Sequence, residues 1–258
     1  VWAEQHGFDF EAIQTEVNAF YTYLHGGLRN QDLLDLAGPN RGKTAMAVWL
    51  RKYPGILDWL RLKTALSNDL IRHWRSIITK YGGPEKELSA NAFMTPLTLW
   101  TGLDFSDASE ICDAISPKLY TMHWSVMVEF WGRVLLDENP GLNEALVVKS
   151  LAHLFDLGDV ITAEKISDYG YPAPHEPHPI PDEPQQRKIE QACAEVNGKA
   201  MVTPLMHGYG PLDDFTRRFQ VVADSPADGI WINRYGYLSD EKLDAVGKIW
   251  STRGDYIR

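Results

Sequence analysis

From Gln185 to Trp250 the chain switches repeatedly between two periodicities, and this alternation narrows the fold further than any other feature. A helical pattern over Gln185–Asn197 leads into a short apolar run over Lys199–Met206. A helix over Leu212–Ala223, a second run over Gly229–Asn233 and a helix over Glu241–Trp250 follow. Apolar residues recurring every three to four positions mark a helix with one buried face, and short apolar runs between turn residues mark buried strands. Strands alternating with helices select an α/β architecture with a parallel sheet.

The same rhythm extends upstream. Strands are expected over Leu88–Pro96 and Pro117–His123, with a helix over Ser106–Ile115 between them. Long helices are expected over Phe8–Tyr23, stopped by Gly26-Gly27, and over Trp59–Tyr81, stopped by Gly82-Gly83-Pro84. Residues 125–168 read as mostly helical. Tyr169–Pro184 carries six prolines and two histidines and is expected to be an irregular loop. Four strands are legible where a closed barrel needs eight, so the pattern reads as the C-terminal half of a (β/α)8 TIM barrel. On this reading residues 1–258 form one α/β-barrel domain, N-terminally incomplete, with residues 124–198 as a helical and Pro-rich insertion between two barrel strands. An incomplete barrel exposes sheet edges, so the expectation extends to a homo-oligomer or a missing N-terminal half.

Composition excludes some functions. A net charge of −10 disfavours a nucleic-acid surface, which needs clustered Lys and Arg, and likewise an acidic membrane. No apolar run approaches the ~20 residues of a membrane span. Cys112 and Cys193 are too few for a disulfide framework or a metal cluster and are expected as free thiols. No metal or other cofactor is expected, and the sequence leaves the compartment open.

Candidate chemistry gathers where strands are expected to end, because barrel active sites are built there. His123 and Trp124 follow one strand, and His207 and Tyr209 follow the next. Asn233, Arg234 and Tyr235 close the last, and Trp231 alternates with Ile230 and Ile232, so in a barrel strand it points either inward beneath a ligand or outward against a helix. Aromatic rings stack on sugar faces, and Asn, His and Arg reach hydroxyls or carboxylates. Glu129, six residues after His123, is the acid/base candidate. Asp213, Asp214 and Asp240 fall in helix first turns, where the helix dipole accounts for them. His175 and His178 lack a second ligand pair and are expected on a solvated loop. Ala37-Gly-Pro-Asn-Arg-Gly-Lys-Thr44 fits only the loosest phosphate-loop pattern, without the preceding strand such a loop needs.

Several stretches together resemble the (β/α)8 glycoside-hydrolase superfamily, in particular its uncharacterised bacterial members. These are Phe8-Asp-Phe-Glu-Ala-Ile, Trp59-Leu-Arg-Leu-Lys63, Asn91-Ala-Phe-Met-Thr-Pro, Asp113-Ala-Ile-Ser-Pro-Lys-Leu-Tyr-Thr-Met122 and Gly229-Ile-Trp-Ile-Asn-Arg-Tyr235. The resemblance implies that the strands are the fifth to eighth of a barrel, and that Trp231 floors a sugar subsite. A carbohydrate is then the expected ligand and glycoside hydrolysis the expected activity. One departure matters: the strand matching the seventh ends Pro204-Leu-Met-His207, without the nucleophilic Glu of the largest glycosidase clan. A non-catalytic saccharide-binding or inactive barrel, or a barrel isomerase or lyase, are therefore the alternatives.

Overall fold

The structure, a computed structural model, describes residues 1–38 and 42–253, without the side chains of 42–45. Residues 39–41 of the Ala37–Thr44 phosphate-loop-like stretch therefore lie outside the described residues, as do the side chains of its last three. In chain order the elements are α1 (Trp2–Gln5), α2 (Phe10–Leu24), α3 (Asn30–Leu34), α4 (Gly42–Lys52), α5 (Gly55–Gly82), β1 (Ser89–Phe93), α6 (Leu97–Thr101), α7 (Phe105–Ser109), β2 (Ala114–Leu119), α8 (Thr121–Glu138), α9 (Glu144–Leu154), α10 (Asp182–Val196), β3 (Met201–Val202), β4 (Leu205–His207), α11 (Leu212–Ala223), β5 (Trp231–Asn233) and α12 (Asp240–Ser251). None of the described helices is long and apolar enough to cross a membrane. The chain divides into two compact units. The first comprises residues 1–66 and 123–171, and the second comprises residues 67–122 with the described residues from 172 onward.

The first unit is helical. Ile13, Leu62 and Ala3 form one core, against which Trp2, Phe8, Val17 and Trp59 pack. Asn139 ties its turns together with every hydrogen-bonding group it has. Its Nδ2 donates to the carbonyls of Leu24 (2.8 Å) and Leu135 (2.9 Å), and its Oδ1 accepts from the amides of Gly26 (2.9 Å) and Leu28 (3.1 Å). An amide is the side chain that can satisfy two donors and two acceptors at one buried point.

The second unit holds the sheet. Its strands are all parallel, in the order β1-β2-β4-β5, with β3 beside β2 just ahead of β4. β3 and β4 are one run, Met201–His207, interrupted at Thr203-Pro204. β2 pairs with β3 at Ala114 and Ile115 and with β4 at Lys118 and Leu119, so the break faces Ser116 and Pro117. A proline on each side leaves no N–H to donate there, and the Oγ atoms of Ser116 and Thr203 bridge the gap at 2.8 Å.

The residues of one sheet face are apolar and covered. Ala92, Ile115 and Val202 pack against Phe105, Ala108, Ala192 and Val196 of α7 and α10. Met206, Ile230 and Ile232 pack against Phe215 and Phe219 of α11 and Val246, Ile249 and Trp250 of α12. The alternating residues face the other way, and among them Asn91, Phe93, Met201 and Trp231 are exposed. The architecture is thus mixed α/β with a parallel sheet in sequential strand order and helices packed on one face. The described strands form an open sheet rather than a closed barrel.

At the amino ends of the strands, aspartates do structural work. Asp113 Oδ2 accepts from the Leu88 amide at 2.7 Å and pairs with Arg75, whose guanidinium holds the carboxyl below the usual carboxylate range. Asp228 Oδ2 accepts from the Val202 amide at 2.8 Å.

One expected strand is displaced. The segment expected over Pro117–His123 is β2, Ala114–Leu119, and His123 lies in α8. Proline usually starts or avoids a central strand, but Pro117 sits inside this one at the ladder break. The two cysteines are free thiols, as the sequence suggested.

Candidate binding site at the carboxyl ends of the strands

The carboxyl ends of β2, β4 and β5 bring three polar side chains into one row. His207 is paired in register with Asn233, and Tyr120 is the residue that follows β2 on the same rung. The Tyr120 and His207 rings meet edge to face at 5.3 Å, and Asn233 Nδ2 donates a short hydrogen bond to the Tyr120 hydroxyl. Asn233 Oδ1 accepts from the Arg234 amide at 2.8 Å and so helps hold Arg234 at φ +67°, a left-handed conformation costly for a residue with a Cβ. His207 Nδ1 accepts from the Tyr209 amide at 3.0 Å, which puts the proton of the neutral ring on Nε2.

A ring of aromatics surrounds this row. Tyr237 lies 5.7 Å from the His207 ring and 5.4 Å from that of Tyr209, perpendicular to the latter. The Tyr209 hydroxyl donates to the Pro172 carbonyl at 2.9 Å. Trp231, Tyr235 and Tyr237 are 59%, 76% and 51% exposed, whereas His207 and Tyr209 are buried.

Two buried cations hold the loop beneath the rings. Arg218 on α11, 1% exposed, donates from Nη1 to the His207 carbonyl (3.2 Å) and from Nη2 to the Tyr209 carbonyl (2.5 Å). Lys242 on α12 donates from Nζ to the carbonyls of Gly208 (2.8 Å), Gly210 (2.7 Å) and Tyr237 (3.0 Å). Four successive carbonyls, 207 to 210, are therefore bound alternately by one guanidinium and one ammonium. Such wiring fixes the loop before any ligand arrives.

Asp214 balances the charge. Its Oδ2 accepts from Arg218 Nε and its Oδ1 from Arg217 Nη2, each at 2.7 Å. Burial pushes its carboxyl up, but the two guanidiniums prevail and it titrates below the usual range. It is an anchored anion, unsuited to carrying protons.

His178 completes the buried network. It is 3% exposed, with Nδ1 2.6 Å from the Thr121 hydroxyl, and Nε2 has no hydrogen-bond partner. Burial and the Arg218 charge lower its pKa to about 3. A Cβ on Gly210, itself at φ +100°, would lie 3.1 Å from that Nε2.

The structure gathers His207, Tyr209, Asn233, Arg234 and Tyr235 at the carboxyl end of the sheet in the second unit. Trp231 lies one rung earlier, on the exposed face. His123, Trp124 and Glu129 are a different case, being helical residues of α8 in the first unit. Trp124 is buried, and Glu129 pairs with Arg133 at 2.9 Å, one helical turn on. The cause is that β2 ends at Leu119, four residues before the expected His123, which leaves them on a helix rather than at a strand end. His178 is likewise buried rather than solvated, and Asp214 is an ion-pair hub beyond any helix-dipole role.

Sequence reasoning missed Tyr120, Tyr237, Arg218 and Lys242. One signal was available for Lys242, which sits in the first turn of α12 after the Ser239 cap, where the dipole disfavours a cation. Such a lysine needs another reason to be there. Among the described residues, no group of three or more His, Cys, Asp or Glu side chains is arranged to hold a metal ion. Comparison with family models, curated proteins and solved structures gave no match.

Proposed function

We propose that this is a carbohydrate-active protein of the half-barrel type that the sequence resembles, and that its second unit binds a saccharide at the carboxyl ends of the strands. The sequential parallel order with a one-sided helix layer supports the half-barrel reading. The observation that carries the ligand class is the pairing of exposed rings with fixed polar groups. Trp231, Tyr235 and Tyr237 offer apolar faces for the C–H surface of a sugar, and Asn233, Tyr120 and His207 lie in one row beside them to meet hydroxyls.

One observation favours binding without cleavage by this unit. Glycoside hydrolysis usually needs two carboxylates across the scissile bond. The carboxylate built into this cluster, Asp214, is bound by two guanidiniums. Calorimetric titration with a panel of oligosaccharides, alongside a reducing-end assay, tests both readings. Affinity without turnover is expected, and Trp231→Ala and Tyr237→Ala should each weaken it about tenfold, the value of one lost stacking contact. Turnover would restore the hydrolase reading, and no affinity for any member would overturn the saccharide reading.

A further inference from the structure

Among the described residues, the open face of the sheet carries a cation that no carboxylate pairs with. Phe93, Lys118, Leu205 and Trp231 are successive register partners across β1, β2, β4 and β5, so they form one row on that face. At about 4.8 Å between strands, the row spans about 14 Å. It lies one rung before Tyr120, His207 and Asn233, on the same side of the sheet. Trp231 is exposed at one end and Phe93 at the other. Between them the half-buried Lys118 has its Nζ 5.2 Å from the centre of the Phe93 ring, and among the described residues no carboxylate pairs with it.

That isolation is notable in a chain with 35 acidic and 25 basic residues. Three other cations of this unit pair with anions (Arg75 with Asp113, Lys199 with Glu110, Arg217 with Asp182 and Asp214) and Lys242 is held by three carbonyls, whereas among the described residues Lys118 has neither. A partly desolvated ammonium is stabilised when an anion reaches it. The preceding rung offers the exposed Asn91, a neutral amide that can hydrogen-bond an oxyanion or a hydroxyl but cannot neutralise Lys118, while its Ser116 is buried and bonded to Thr203.

We infer that the saccharide is anionic, carrying a uronic-acid carboxylate, with Lys118 as the specificity-determining residue and Trp231 stacking on the neighbouring ring. This rests on the saccharide reading above and narrows it. A carboxylate suits the site better than a sulfate or phosphate, which are typically bound by arginine forks or by several free backbone amides. Within the Phe93–Lys118–Leu205–Trp231 row there is one point charge, on a sheet whose amides serve the ladder.

The test compares oligouronides (galacturonate, mannuronate and glucuronate series) with their own methyl esters, which keep the sugar and erase the charge. For at least one series the free acid should bind about tenfold more tightly than the ester, and raising the salt should reduce that preference. Lys118→Met should abolish the difference between acid and ester, and Lys118→Arg should retain it. Equal affinity for acid and ester, or a preference that survives Lys118→Met, overturns the inference and leaves the saccharide reading standing. Tighter binding of sulfated than of carboxylated oligosaccharides overturns the choice of carboxylate. Binding of neither acid nor ester, with neutral oligosaccharides also inert, overturns both.

Discussion

Arg218 and Asp214 show what single charged residues do in this unit, because both are almost wholly buried and each satisfies the other. Removing one partner of a buried pair strands the other charge, at a cost of about 3–5 kcal/mol. Asp214→Asn should therefore lower the unfolding free energy by about that much in urea titration. Glu129→Gln should change it by less than about 0.5 kcal/mol, since its pair with Arg133 is surface-exposed. His178 sets the pH response. Its folded pKa of about 3 lies below the ordinary 6.5, so the unfolded chain binds the extra proton between those values. Its contribution to stability is complete above pH 6.5 and falls by about 1.4 kcal/mol per unit as the pH drops toward 3. Urea midpoints at pH 7, 6 and 5 should show that decline, and His178→Asn should flatten it. Little of this was legible in the sequence. A histidine between prolines reads as solvated, and an aspartate in a first turn reads as a dipole cap, because burial depends on elements far away in the chain.

At the scale of elements the reading was closer. α11 occupies the expected residues, and four strand positions were found because each is an apolar run bounded by turn residues. β2 was misplaced because Pro117 argues against a strand interior when its partner is unknown. Opposite Pro204 the argument reverses, since neither proline is asked for an N–H. The element most sensitive to substitution is the turn after β4. Gly210→Ala would force a Cβ into a left-handed backbone and against His178, Arg218 and Asp214, at 3.1, 3.3 and 3.4 Å. A loss of at least about 1 kcal/mol is expected in thermal or chemical unfolding. In the first unit, Asn139→Ala leaves two amides and two carbonyls without their side-chain partner, and about 2–4 kcal/mol should be lost.

For the whole molecule, the division into two units was not legible, because helical periodicity shows that a face is buried and not which core it joins. The one-sided sheet has a colloidal consequence. Parallel sheets are normally covered on both faces, and unprotected edge strands template association. Among the described residues β1 and β5 each have a neighbour on one side only, and neither contains a charge or a proline. With a pI near 5.2, electrostatic repulsion between molecules is weakest in that region. Light scattering should show the lowest association threshold near pH 5.2, and Trp231→Lys on the edge should raise it. The clamp on carbonyls 207 to 210 reaches further than the loop it shapes. Because Lys242 belongs to α12 and also holds the carbonyl of Tyr237, occupancy of the rings and docking of that helix share one free energy. A bound sugar should then be felt as slower amide exchange along α12, a helix it never touches.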